Sequence, residues 1–193
     1  MFLANPVGVI LAAGQGRRFG ATKQLVAVRG RPLVAHAVGV ARDAGCSRIV
    51  VVTGHDRHRV AKAALAESSV EIAVNVDYRS GLASSLRIGI NAAAQGKGQV
   101  AAILLADQPG IDPVVVSQVL NSVRGEVVAA RADYEDGPSH PVAFARSAWP
   151  KLCGITGDQG ARELFEGMKT SYVTVAGKAP RDVDTPHDLR IVS

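Results

Sequence analysis

Apolar residues fall into short unbroken runs separated by longer amphipathic stretches, and this rhythm predicts the architecture before any motif is considered. The run over residues 6–12 is nearly continuous and stops before Gly14, the pattern of a strand buried on both faces of a parallel sheet. Residues 48–53, 70–74, 101–106 and 126–130 repeat it, each short, apolar and bounded by Gly, Asp or polar positions. Between them, residues 32–44, 55–66, 82–94 and 112–124 carry apolar positions at helical spacing, the first of these ending at Gly45. Strands alternating with helices imply right-handed crossovers. The expected class is therefore α/β, a mostly parallel sheet with helices on both faces.

Beyond about residue 130 the rhythm changes. Asp133-Tyr134-Glu135-Asp136-Gly137-Pro138 predicts a polar turn, the apolar run over 141–144 is short, and the region looks like an insertion. A further helix is expected over 158–167 and a late strand over 172–175, with Thr185-Pro186 as the cap and first turn of a final helix. No repeat or linker divides the chain, so residues 1–193 are expected to form one domain.

Composition narrows the function classes. With 193 residues, 47% of them hydrophobic and 20% charged, the chain has the balance of a globular protein rather than a disordered one. The longest apolar run, residues 100–106, is too short to span a bilayer, and no basic segment with a signal-type apolar stretch opens the chain. A cytoplasmic protein without membrane contact is expected. Cys46 and Cys153 lack metal-type spacing and read as buried free thiols. The net charge of +5 suits an anionic ligand, but the basic residues are scattered and no aromatics interleave with them, so nucleic acid is not expected.

The most informative stretch follows the first predicted strand. Gly14, Gly16 and Gly20 allow a tight turn that brings backbone N–H groups near an anion, and Arg18 and Lys23 can add charge-assisted bonds. A glycine-rich turn with solvated basic side chains fits the same letters. Two standard phosphate loops are excluded by spacing. A dinucleotide fingerprint wants glycine where Phe19 stands and an acid where Thr53-Gly54-His55 stands. A Walker loop wants Gly-Lys-Ser/Thr, whereas Gly20 is followed by Ala21-Thr22.

Written out, Leu11-Ala12-Ala13-Gly14-Gln15-Gly16-Arg17-Arg18-Phe19-Gly20-Ala21-Thr22-Lys23 resembles the opening of the MobA-like nucleotidyltransferases, which include sugar-phosphate nucleotidyltransferases and molybdenum cofactor guanylyl- and cytidylyltransferases. The pattern L-A-A-G-x-G-x-R-M/F-G-x-x-K is met at every fixed position. The resemblance implies a three-layer Rossmann-like nucleotidyltransferase fold of the nucleotide-diphospho-sugar transferase type, with a mixed sheet. It implies that Leu11, Ala12, Ala13, Gly14, Gly16, Arg18 and Lys23 hold a nucleotide, with Arg18 and Lys23 bearing catalytically on the leaving pyrophosphate. It also implies a division into a nucleotide-binding half, about 1–130, and an acceptor-binding half, about 131–193.

Two acids are candidates for a metal. Asp107 follows the run over 101–106, at the strand edge where open α/β sheets bind ligands, and Asp184 precedes Thr185-Pro186. Read alone, each also fits a helix cap or a turn former. The segments Leu-Ala-Asp-Gln-Pro and Asp-Val-Asp-Thr-Pro resemble the family's two metal-binding segments, which makes Asp107, also a nucleotide contact and catalytic, and Asp184 the implied Mg²⁺ ligands. His187 stands where many relatives have Glu.

Three further segments extend the resemblance. Asn75 to Leu86 is similar to N-x-x-W/Y-x-x-G-L/M-x-S-S-L/I, most familiar in the cytidylyltransferases, which implies nucleotide contacts from Gly81, Ser84 and Ser85; serine caps at a helix start would look the same. Gly137 to Val142 resembles a G-H-P-V segment with Ser139 in place of a glycine, and His140 is an acceptor-side candidate or a structural donor. Gly157-Asp158-Gln159-Gly160-Ala161-Arg162 matches G-D-x-G-A-R, which puts Asp158 and Arg162 on the acceptor side.

Taken together, the resemblance implies transfer of CMP from CTP to the phosphate of molybdopterin, giving molybdopterin cytosine dinucleotide and pyrophosphate. GTP with the same acceptor, or a sugar phosphate as acceptor, is the near alternative, and a transient complex with a xanthine dehydrogenase-family apoenzyme is an implied partner. A carrier that only holds molybdopterin is a different class of function, disfavoured because it needs no pair of metal-binding acids. The absence of an obvious His or Cys nucleophile agrees with chemistry carried by positioning and charge.

Overall fold

The first strand, β1 (Val7–Ala12), is buried at all six positions, which is why it reads as an unbroken apolar run. It is an inner strand, flanked by β-strands on both sides, of a seven-stranded sheet in a computed structural model that describes residues 5–156 and 165–192. In chain order the elements are β1, a small hairpin of β2 (Ala27–Val28) and β3 (Arg31–Pro32), α1 (Leu33–Asp43), β4 (Arg48–Thr53), α2 (Arg57–Glu67) and β5 (Glu71–Val74). Then come α3 (Leu82–Ala94), β6 (Val100–Leu105), α4 (Pro113–Ser122), β7 (Ala129–Tyr134), β8 (Gly137–Ala145), α5 (Trp149–Cys153), β9 (Thr170–Thr174) and α6 (Pro186–Val192).

The sheet order is β5-β4-β1-β6-β8-β7-β9. Strands β5, β4, β1 and β6 pair in parallel, β8 alone runs against its neighbours, and β9 pairs in parallel with β7. The sheet is thus mixed but mostly parallel. Alternate residues of β1 face opposite cores: Ile10 and Ala12 pack with α1, α2 and α4, while Val7, Val9 and Leu11 pack with α3 and α5. Helix α3 rides close on the sheet because residue 89 is glycine. A β-carbon there would overlap Val9 and lie 2.9 Å from Val52. Among the described residues no helix is long and apolar enough to cross a membrane.

Most predicted elements stand within a residue or two of their expected bounds. The exceptions lie after residue 125. The strand expected over 126–130 begins at Ala129 and runs to Tyr134, through Arg131 and Asp133, which the sequence reads as the approach to a turn. The run over 141–144 is the middle of the nine-residue β8. The region that looks like an insertion therefore adds three strands to the same sheet. The helix expected over 158–167 lies mostly outside the described residues.

From β1 the chain moves outward to β4 and β5, then crosses back to β6 on the other side of β1. The β1–β6 junction is therefore a topological switch point, and a crevice opens at the carboxyl ends of these two strands.

Candidate active site

The loop leaving β1 is tied down by its own backbone and by two polar side chains. Phe19 and Gly20 both donate their N–H groups to the Gly16 carbonyl, at 2.9 and 3.0 Å. Gly16 has φ +61°, and a β-carbon there would overlap the Ala21 carbonyl oxygen, so only glycine closes this turn without strain. Gln24 donates to the Gly14 carbonyl at 2.9 Å, and Thr22 donates to Asp56 at 2.9 Å. A single 3-10 turn over Lys23–Leu25 then directs Lys23 across the crevice.

On the opposite side, Asp107 and Asp184 are brought together by backbone docking. The Val183 N–H donates to the Asp107 carbonyl at 2.9 Å, and the fully buried Val183 side chain packs with Val28 and Leu33. Gln108 donates to Asp182 at 2.7 Å across the same joint. The carboxylate of Asp184 is spared from capping α6, because Asp188 does that work. It accepts the Asp184 and Thr185 N–H groups and the Thr185 hydroxyl, at 3.2, 2.8 and 2.7 Å, and its own N–H meets Thr185 Oγ1 at 3.3 Å.

Lys23 sits between the loop and the two acids. Its Nζ lies 2.7 Å from Asp107 Oδ2 and 2.7 Å from Asp184 Oδ1. Burial alone would lower its pKa, but the two carboxylates more than offset this and hold it above the usual lysine value. Arg18 reaches Asp184 at 3.2 Å from a largely solvated position. The second Asp107 oxygen, Oδ1, is buried and has no hydrogen-bond partner. Asp182 is held above the usual carboxylate range, by burial first and then by Asp107, with the Gln108 bond opposing.

Of the residues expected to contact nucleotide, Leu11, Ala13, Gly14, Gly16, Arg18, Lys23, Gly81, Ser85 and Asp107 line one cleft of about 570 Å³, and Asp184 joins them. Two stand behind its wall. Ala12 is in the core, and the buried Ser84 hydroxyl is spent on Asn75 at 2.8 Å and the Gly81 carbonyl at 2.8 Å. Asn75 is a hub that the serine motif needs. It donates to Ser84 and Ser85 and accepts the Asp77 N–H, fixing the start of α3 to the end of β5.

The acceptor-side candidates fare differently. His140 is on β8 outside the cleft lining, and its Nδ1 donates to the Ile103 carbonyl at 3.4 Å, the structural role the sequence left open. Burial holds its imidazole below the usual histidine value. Asp158 and Arg162 lie outside the described residues. The cleft also takes in Arg17, Gln24, Tyr78, Arg79 and Asp182, which sequence reasoning missed. Asp182 alone carried a usable signal, since residues 182 and 184 point the same way in extended chain.

The arrangement resolves into a glycine loop with two cations facing a pair of carboxylates. Comparisons with known proteins agree with it. Residues 8–174 match the MobA-like NTP transferase domain. The chain superposes on Rv0371c of Mycobacterium tuberculosis with a TM-score of 0.84 at 29% identity, covering 100% of this chain and 98% of that one. A manganese complex of the same protein gives 0.80 at 28% identity, over 98% of each chain. A probable molybdenum cofactor guanylyltransferase of Haloferax mediterranei is 29% identical, covering 96% of this chain and 92% of that protein. The bifunctional protein GlmU of Bordetella parapertussis is 28% identical over 83% of this chain, which spans only 36% of its length.

Proposed function

We propose, from the premise that this chain belongs to the MobA-like NTP transferase family, that it transfers CMP from CTP to the phosphate of molybdopterin and releases pyrophosphate. The observation that carries the transferase reading is the convergence of Asp107 and Asp184 on one ammonium at the mouth of the Gly14–Gly16 loop. CTP is chosen because segments 75–86 and 157–162 resemble the cytidylyltransferases. The Haloferax relative favours a second reading in which GTP is the donor and the acceptor is the same. In the CTP reading the reaction is cytoplasmic, and its product passes in a transient complex to a molybdoenzyme apoprotein of the xanthine dehydrogenase type.

A divalent cation fits the carboxylate pair. Asp107 keeps a buried, unpartnered oxygen, and both acids already converge on a single positive charge. Among the described residues no cluster of three or more His, Cys, Asp or Glu is arranged to hold an ion, so phosphate oxygens and water would complete the shell, as suits Mg²⁺. Asp107 and Asp184 would hold it; when bound, it neutralises charge on the reacting phosphates. The manganese complex of Rv0371c supports a divalent ion here.

The chain's own residues do the rest. Gly14 and Gly16 let the loop backbone approach the triphosphate, and Lys23 and Arg18 offset charge as it builds on the departing pyrophosphate. The acceptor phosphate is already ionised, so its oxygen attacks the α-phosphorus without a general base, forming one P–O bond as the bond to pyrophosphate breaks. Positioning is the chief demand.

The test is pyrophosphate release from CTP, GTP, ATP and UTP with molybdopterin and Mg²⁺. The expected result is release with CTP, reduced roughly hundredfold or more in Asp107→Ala. Preference for GTP would establish the second reading. Release only with a sugar phosphate in place of molybdopterin would overturn the acceptor.

A further inference from the structure

Lys23 occupies the position that both carboxylates address. Its side chain is 12% exposed, against 25% for Asp107 and 41% for Asp184, so the paired charges are partly withdrawn from water and attract more strongly than a surface pair. The backbone beneath it is fixed. Leu25 N–H bonds the Thr22 carbonyl and Val26 N–H bonds the Lys23 carbonyl, both at 3.0 Å, and the Gly16 turn runs so close that a β-carbon there would come within 3.1 Å of the Lys23 backbone. Arg18, the other cation on Asp184, is 79% exposed and cannot replace it.

A free divalent ion entering between Asp107 and Asp184 must expel the ammonium, leaving it mostly buried without a partner. A triphosphate removes that penalty, because its oxygens take the ammonium as the carboxylates are released to the ion. We propose that Lys23 is a specificity-determining residue that makes the Asp107–Asp184 pair selective for a metal–nucleotide complex over the free metal ion. This rests on the metal-dependent nucleotidyltransferase reading of the cleft. The coupling is reciprocal: nucleotide tightens metal binding by the factor by which metal tightens nucleotide binding.

The experiment is Mn²⁺ binding with no acceptor present, followed without CTP by loss of the free-ion electron paramagnetic resonance signal and, with and without CTP, by the excess Mn²⁺ on the protein side of an equilibrium dialysis, so that Mn²⁺ held by free CTP is not counted. Wild type is compared with Lys23→Met and Lys23→Gln, and melting curves with and without Mn²⁺ establish that each variant is folded. Both variants are expected to bind free Mn²⁺ roughly tenfold more tightly than wild type, to gain more thermal stability from Mn²⁺ alone, and to lose most of the CTP dependence. Free-Mn²⁺ affinity that is unchanged or weaker in the folded variants, with wild type still taking up Mn²⁺ alongside CTP, overturns the role of Lys23 and leaves the transferase reading standing. Wild type that takes up no Mn²⁺ in either condition overturns that reading and the proposal together.

Discussion

Single residues in this site act through what they deny one another. Lys23 is the only route by which Asp107 Oδ2 and Asp184 Oδ1 are both neutralised among the described contacts, and Asp188 leaves Asp184 free by taking over the cap of α6. His140 shows the opposite outcome, a functional-looking side chain turned inward to the Ile103 carbonyl. Burial holds its imidazole below the usual value, more than the Ile103 hydrogen bond and Asp107 together raise it, so the folded chain keeps it neutral while the unfolded chain takes up a proton first. Stability therefore falls as pH drops through the usual histidine value of about 6.5. Melting temperature measured from about pH 7.5 to about pH 5.5 should decline in wild type and decline less in His140→Asn. Equal slopes would remove His140 from this account.

Elements were legible where periodicity and burial agree. Strands β1, β4 and β6 are buried on both faces and read as apolar runs, and α3 fell on its predicted bounds. Strand β7 did not, because tertiary pairing that no pattern announces overrides the polarity of its charged positions. Arg131 donates to the Pro138 carbonyl at 2.7 Å and lies 4.7 Å from the Phe165 ring, and Asp133 is paired through its backbone to β8 and β9, so both run as strand where polarity suggested a turn. The start of α6 was legible from Thr185-Pro186. Thr185→Ala should cost about 1 kcal/mol in denaturant unfolding, and Thr185→Ser should recover most of it. The Ala variant should also weaken metal–nucleotide binding, since the same hydrogen-bond set holds Asp184 N–H. Unchanged binding alongside lost stability would confine Thr185 to the helix.

At the scale of the molecule, the crossing from β5 back to β6 explains why residues far apart in sequence share one cleft. The glycine loop and Asp107 end adjacent strands, and the Val183–Asp107 backbone bond delivers Asp184 from the far end of the chain. The loop and the two acids could be named from sequence, but their meeting could not, because it depends on a docked extended segment that has no periodicity. Gln24, Tyr78 and Arg79 were missed for a related reason: ordinary residue types become cleft walls only through the tertiary path of their loops.

That meeting is the central claim, and calorimetric titration of CTP with Mg²⁺ tests it most directly when applied to wild type, Asp107→Ala, Asp184→Ala and the double variant. If both acids hold one ion, each single substitution weakens binding by roughly tenfold or more and the double adds little to the worse single, because the shared ion is lost only once. Losses that simply add, or no loss from either acid, would contradict a shared site.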